Sequence, residues 1–107
     1  MAEKKDRIAV YNIIDRYIEA LREKNINVMG SFLFGSYAKG KNTEWSDIDV
    51  AILTDRFIGD SIDFRFLLMK VARDIDADIE PHPFLVEEFN ELDPVAAEIL
   101  RTGERLL

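Results

Sequence analysis

Two short apolar runs set the limits on this chain. Val28 to Phe34 and Ile48 to Leu53 are each one strand long, and a polar stretch holding Gly, Lys, Asn, Thr and Ser separates them. Runs this compact, dense in branched and aromatic residues, read as strands buried in a sheet. The second run opens on Asp47-Ile48-Asp49. Strand side chains alternate, so the two carboxylates leave the same face. Carboxylates held that close repel, and the arrangement is costly unless a cation sits between them. Magnesium takes oxygen ligands, keeps one or two protein carboxylates and fills its other positions with phosphate oxygens and water. A pair of such ions can activate an attacking oxygen and stabilise a leaving one.

The first run ends on Gly35-Ser36. Glycine lets the backbone turn sharply and lets a phosphate approach closely. A hydroxyl and adjacent amides then suit phosphate oxygens. Gly40 follows four residues after Ser36, and Lys39 offers a point charge. An Asp-x-Asp or a Gly-Ser pair alone says little. Their joint order is specific: apolar strand, Gly-Ser, polar loop, Ser46-Asp47-Ile48-Asp49, apolar strand.

The remaining elements follow closely. Arg7 to Lys24 carries Ile8, Tyr11, Ile14, Ile18 and Leu21 at helical spacing. Asp60 or Ser61 caps a helix running to about Asp74, with Ile62, Phe66, Leu67, Lys70, Val71 and Ile75 near one face. Ile79 to Val86 reads as a third strand, demoted to an edge or a bulge by Pro81 and Pro83. Asp93-Pro94 starts a last helix, and Gly103 stops it. The predicted order α-β-β-α-β-α makes an α+β fold, a small mixed sheet flanked by helices on one side.

A length of 107 residues suits one domain, predicted to span 1–107. Membrane spans need about 18 or more apolar residues, and no such run occurs. The N-terminus lacks the apolar run of a signal peptide. Cysteine is absent, which excludes disulfides and thiolate metal sites and fits a cytoplasmic location. The net charge is −7. Lys4, Lys5, Lys39 and Lys41 are scattered pairs and make no basic face for duplex DNA. An acidic chain still handles a nucleotide if metal ions neutralise the phosphates.

Gly35-Ser36-Tyr37-Ala38-Lys39-Gly40, followed by Ser46-Asp47-Ile48-Asp49-Val50, resembles the signature of the polymerase β-like nucleotidyltransferases. The short length points to their minimal branch, the MNT proteins. The resemblance runs from the first helix through the third strand. It implies the polymerase β-like fold and a nucleotide triphosphate site at Gly35 and Ser36, with Lys39, Gly40 and Ser46 in the same signature. It implies two magnesium ions on Asp47 and Asp49. A third carboxylate on a later strand completes such sites. Asp78 and Glu80 both qualify; Ile79-Glu80-Pro81 matches the family position better, so Glu80 is preferred and Asp78 stays open as a metal ligand.

Larger relatives add a helical domain that holds the acceptor, and these 107 residues leave no room for one. The resemblance therefore implies an acceptor on another molecule, commonly a HEPN toxin, and an antitoxin that moves AMP from ATP to a tyrosine hydroxyl of that partner. The rival is a binding module that blocks a HEPN partner by contact alone. Transfer to RNA or to a small molecule lacks an acceptor surface here. Homo- or hetero-oligomers both remain open. Other residues read first as structural: Tyr37 as a half-exposed aromatic before a nucleotide contact, Trp45 as loop cover before a base-stacking ring, His82 as a turn residue at a strand end before a general base or metal ligand, and Phe57, Phe64 and Phe66 as core with any surplus available to a partner. Arg56, Arg65 and Arg73 have only their charge to suggest phosphate contact.

Overall fold

The computed structural model describes residues 5–43 and 46–107. Lys4 and Trp45 therefore lie outside the described residues. Helix α1 spans Arg7–Glu23, strand β1 Val28–Phe34, strand β2 Ile48–Thr54, helix α2 Ser61–Ile75 and strand β3 Ile79–Leu85. A 3-10 turn at Val86–Glu88, helix α3 at Pro94–Thr102 and a two-residue strand β4 at Glu104–Arg105 complete the order.

Each helix begins where a short acidic side chain can take an orphan amide. Asp6 accepts from the Ala9 amide at 2.8 Å, Asp60 from Asp63 at 2.8 Å and Asp93 from Val95 at 2.8 Å. Helix α3 has Pro94 in its first turn and ends at Gly103, though not through a left-handed glycine. Gly103 has φ −81°. The missing side chain matters there because a Cβ would stand 2.6 Å from the Ile99 carbonyl oxygen.

The sheet order is β3-β2-β1-β4. Strands β1 and β2 are antiparallel, β2 and β3 parallel through the α2 crossover, and β4 antiparallel to β1. The sheet is mixed, as expected. Pro81 and Pro83 lie on the edge strand β3, where a missing N–H leaves no ladder bond unmade.

Leu33, Ile48, Val50, Ile52 and Ile79 pack with Ile14, Leu21, Phe64 and Leu68 of α1 and α2. The Tyr17 hydroxyl donates to the Leu68 carbonyl at 2.7 Å and ties the two helices together. Phe32, Ala51 and Leu53 form a second, smaller cluster with Ile99. The two long helices therefore share one face, and the short α3 covers part of the other. Burial of a large apolar side chain is worth about 1.5–3 kcal/mol, so the first cluster carries most of the stability.

Helix α2 turns a different face inward from the one its spacing predicts. Phe64, Leu68, Val71 and Ala72 are buried, while Ile62 and Phe66 are each 66% exposed and Lys70 is exposed. No helix among the described residues is long and apolar enough to cross a membrane.

Candidate active site

The connection from β1 to β2, residues 35–47, is far longer than a hairpin requires. It begins as a tight turn. Lys39 donates to the Gly35 carbonyl at 3.2 Å, Gly40 to Tyr37 at 3.4 Å and Lys41 to Ser36 at 2.9 Å. The amides of Ser36, Tyr37 and Ala38 donate no hydrogen bond among the described residues. Successive unpaired amides in a turn form a concavity for an anion. Tyr37 anchors this turn. It is 4% exposed and packs in the α1–α2 core, not half-exposed as the sequence suggested. Its carbonyl also accepts from Arg7 at 3.4 Å. Gly40 has φ +69° with open space around it.

Gly35 is fixed by two independent constraints. Its φ is +72°, and a Cβ would stand 2.3 Å from Asp49 Oδ2. The end of β1 therefore touches the carboxylate of β2 directly, leaving a cradle that any side chain would fill. Asp49 is half-buried in β2, and Asp47 is exposed just before the strand.

The parallel register sets Glu80 opposite Asp49. Both lie on the sheet face away from α1 and α2, because their neighbours Ile48, Val50 and Ile79 face those helices. Asp78 goes elsewhere. It precedes β3, and Lys5 donates to its carboxylate at 2.5 Å, with Asp76 at 4.0 Å from the same ammonium. That hydrogen bond, with the neighbouring carboxylates, raises the Lys5 pKa against a smaller desolvation penalty. Ser46 uses its hydroxyl to accept from the Thr43 amide at 2.8 Å, which shapes the loop before Asp47. Lys39 stands 3.8 Å from Glu98 of α3.

Two residues join the carboxylates: His82, read from the sequence as a turn residue, and Arg65, singled out there by its charge alone. His82 is in the middle of β3, not at a turn, with Nε2 3.3 Å from Asp49 Oδ1 and its ring edge-on to Phe34 at 4.9 Å. Arg65 of α2 stands 3.4 Å from Glu80. Sequence spacing had no route to either contact, since both depend on the β2–β3 register and the α2 crossover.

Asp47, Asp49 and Glu80 offer hard oxygen donors of the kind magnesium takes. Among the described residues, no three His, Cys, Asp or Glu side chains are gathered tightly enough to hold a metal ion. Asp49 is turned to His82 and Glu80 to Arg65. The donors fit the ion in chemistry, and seating one requires the two carboxylates to leave those partners.

The family model described as polymerase beta, nucleotidyltransferase, matches residues 16–107. The candidate protein adenylyltransferase MJ1305 of Methanocaldococcus jannaschii is 29% identical over 113 aligned positions, covering 95% of this chain and 74% of that protein. A solved toxin–antitoxin structure with AMP-PNP is similar at 28% identity and TM-score 0.65, covering 91% of this chain and 72% of that one. A toxin–antitoxin MntA–HpeT structure carrying a tyrosine-to-alanine substitution is similar at 27% identity and TM-score 0.62, covering 88% of this chain and 71% of that one. A candidate nucleotidyltransferase of Sulfolobus solfataricus, at 17% identity and TM-score 0.65 over 92% of this chain and 79% of its own, shares the fold.

Proposed function

The chain belongs to the polymerase β nucleotidyltransferase family and is a nucleotidyltransferase, and on that footing we propose that it moves AMP from ATP to a tyrosine hydroxyl of a HEPN toxin and so acts as its antitoxin. The observation that carries this reading is the register pairing of Asp49 with Glu80 beside the Gly35 turn. It brings two carboxylates and the Gly35 turn to one end of one sheet, which supports a nucleotide site there. The toxin–antitoxin structures similar to this chain support the antitoxin role, and the adenylyltransferase relative supports AMP as the group transferred.

Asp47, Asp49 and Glu80 would hold two magnesium ions, which supply charge neutralisation for the triphosphate and acidify the incoming hydroxyl. The rest falls to the chain. The amides of Ser36, Tyr37 and Ala38, with the Ser36 hydroxyl, take the outer phosphate oxygens, and Lys39 leaves Glu98 to add its charge. The accepting hydroxyl gives up its proton to solvent water as its oxygen bonds to the α-phosphorus, the α–β phosphoanhydride bond breaks, and pyrophosphate leaves with the bonding electron pair. Catalysis is positioning and charge placement, so no dedicated side-chain base is needed.

The test mixes the chain with labelled ATP, magnesium and a HEPN-domain protein, sought first as the product of the neighbouring gene. The expected result is a mass gain of one AMP unit on the partner, lost in an Asp47→Asn/Asp49→Asn double variant. If that double variant still neutralises the partner and the parent chain transfers nothing, inhibition is by contact alone and the enzymatic reading falls.

A further inference from the structure

Helix α2 carries two apolar stripes, and the core uses one. Phe64, Leu68, Val71 and Ala72 point inward. Ile62, Phe66 and Met69, spaced by four and three, follow another side of the same helix. With Pro83 and Phe84 of β3 and Val95 of α3 they line an open groove of about 470 Å³. Ile62 and Phe66 are each 66% exposed, and Val95 is 56% exposed. Clustered exposed apolar side chains of this kind mark an interaction surface. Arg65 and His82 also line the groove, and they are the residues that touch Glu80 and Asp49. The groove therefore runs into the candidate active site.

Sheet order decides which reactant it serves. Strand β2, with Asp49, has β1 on one side and β3 on the other. The turn whose amides donate to none of the described residues follows β1, and the groove lies at β3. If the outer phosphates sit at the turn, an in-line displacement at the α-phosphate brings the acceptor from the opposite side. That side is the groove. Its lining does not suit a polyanion: Arg65 is the single Lys or Arg along it among the described residues, and Asp93 lines it as well. An aromatic side chain with a polar tip does suit it, because the ring can lie on apolar surface while the hydroxyl reaches the carboxylates.

We infer that this groove seats the modified protein: an apolar segment carrying the accepting tyrosine docks between α2 and β3, its ring against Phe66 and Phe84 and its hydroxyl toward Asp49 and Glu80. The inference rests on the reading that the acceptor is a protein, and the experiment separates the two. Phe66→Asp and Ile62→Asp change exposed positions, so both variants should keep the parent thermal midpoint and ATP affinity. With the HEPN-domain protein of the transfer test as probe, the KM for that protein should rise by at least about tenfold, as loss of a central apolar anchor does. A photo-crosslinking residue at position 66 should capture the same partner. Transfer by Phe66→Asp at the parent KM overturns the groove and leaves the proposed activity standing. Where the parent chain binds the partner but transfers nothing, the activity fails and binding alone decides: loss in Phe66→Asp supports the groove, retention overturns it. A parent chain that does not bind the HEPN protein overturns both, and a groove that instead joins two copies of this chain, seen as dissociation of a dimer by Phe66→Asp, overturns the inference.

Discussion

Three single residues carry separable consequences for the site and for stability. Gly35 lies in the left-handed region against the carboxylate of Asp49. Alanine there should cost at least about 1 kcal/mol for backbone strain alone and displace Asp49 as well, so Gly35→Ala should lose transfer activity by more than the fall in stability explains. A variant with parent activity per folded molecule would show that Asp49 does not need that contact. Ser31 is the converse case. Its hydroxyl is buried with no partner among the described residues, a condition that costs about 1–3 kcal/mol. Ser31→Ala should match or exceed the parent midpoint in urea; a clear loss would reveal a bonded hydroxyl. Tyr17 links stability to pH. Burial pushes its phenol far above the ordinary 10.0, so the folded state holds the proton more tightly than the unfolded one. That contribution is whole below pH 10 and fades as pH rises beyond it. Tyr17→Phe should flatten the loss of stability above pH 10, and parallel curves for the two proteins would refute the assignment.

At the level of elements, periodicity and punctuation located the helices and the three long strands almost to the residue. Asp6, Asp60 and Asp93 cap helices because a short carboxylate meets amides that have no other acceptor. Asp93→Ala should therefore lower stability by about 1 kcal/mol. It should also loosen α3, which brings Ile99 to the second cluster; a melting curve unchanged by the substitution would argue that α3 adds nothing to the fold. The face of α2 was not legible. Its sequence holds two apolar stripes, and spacing has no means of choosing the buried one; only the packing of Phe64 and Leu68 against α1 and the sheet does so. The strand β4 was missed because two residues carry no period. The site divides the same way. Gly35, Ser36, Asp47 and Asp49 stand out as local patterns, whereas His82 and Arg65 arrive beside them through a parallel register and a crossover that no local pattern encodes.

For the molecule as a whole, residues 104–107 close the sheet on the side away from the groove. Glu104 and Arg105 pair with Leu33 and Phe32. The Leu106 amide donates to the Ser31 carbonyl at 2.8 Å, and the Leu107 carbonyl accepts from the Ser31 amide at 3.3 Å. Tyr11 donates to Glu104 at 2.5 Å, and Arg7, which also reaches the Tyr37 carbonyl, pairs with the same carboxylate. Residues 104–107 thus cover the open edge of β1 and connect it, through α1, to the turn that would hold the triphosphate. An uncovered edge presents unpaired amides and carbonyls to any other strand. A chain ending at Gly103 should melt at a lower temperature and associate with rising concentration, while every candidate site residue stays in place. Because Arg7 would lose its carboxylate and hold the Tyr37 carbonyl less firmly, its ATP affinity should fall as well. Glu104→Gln separates the two effects: it keeps the strand and weakens the charge pair, so it should reduce ATP affinity without promoting association. Sedimentation and nucleotide titration of both variants decide the matter, and a truncated chain that sediments, melts and binds ATP as the parent does would show that β4 is an ornament of the sheet and not its seal.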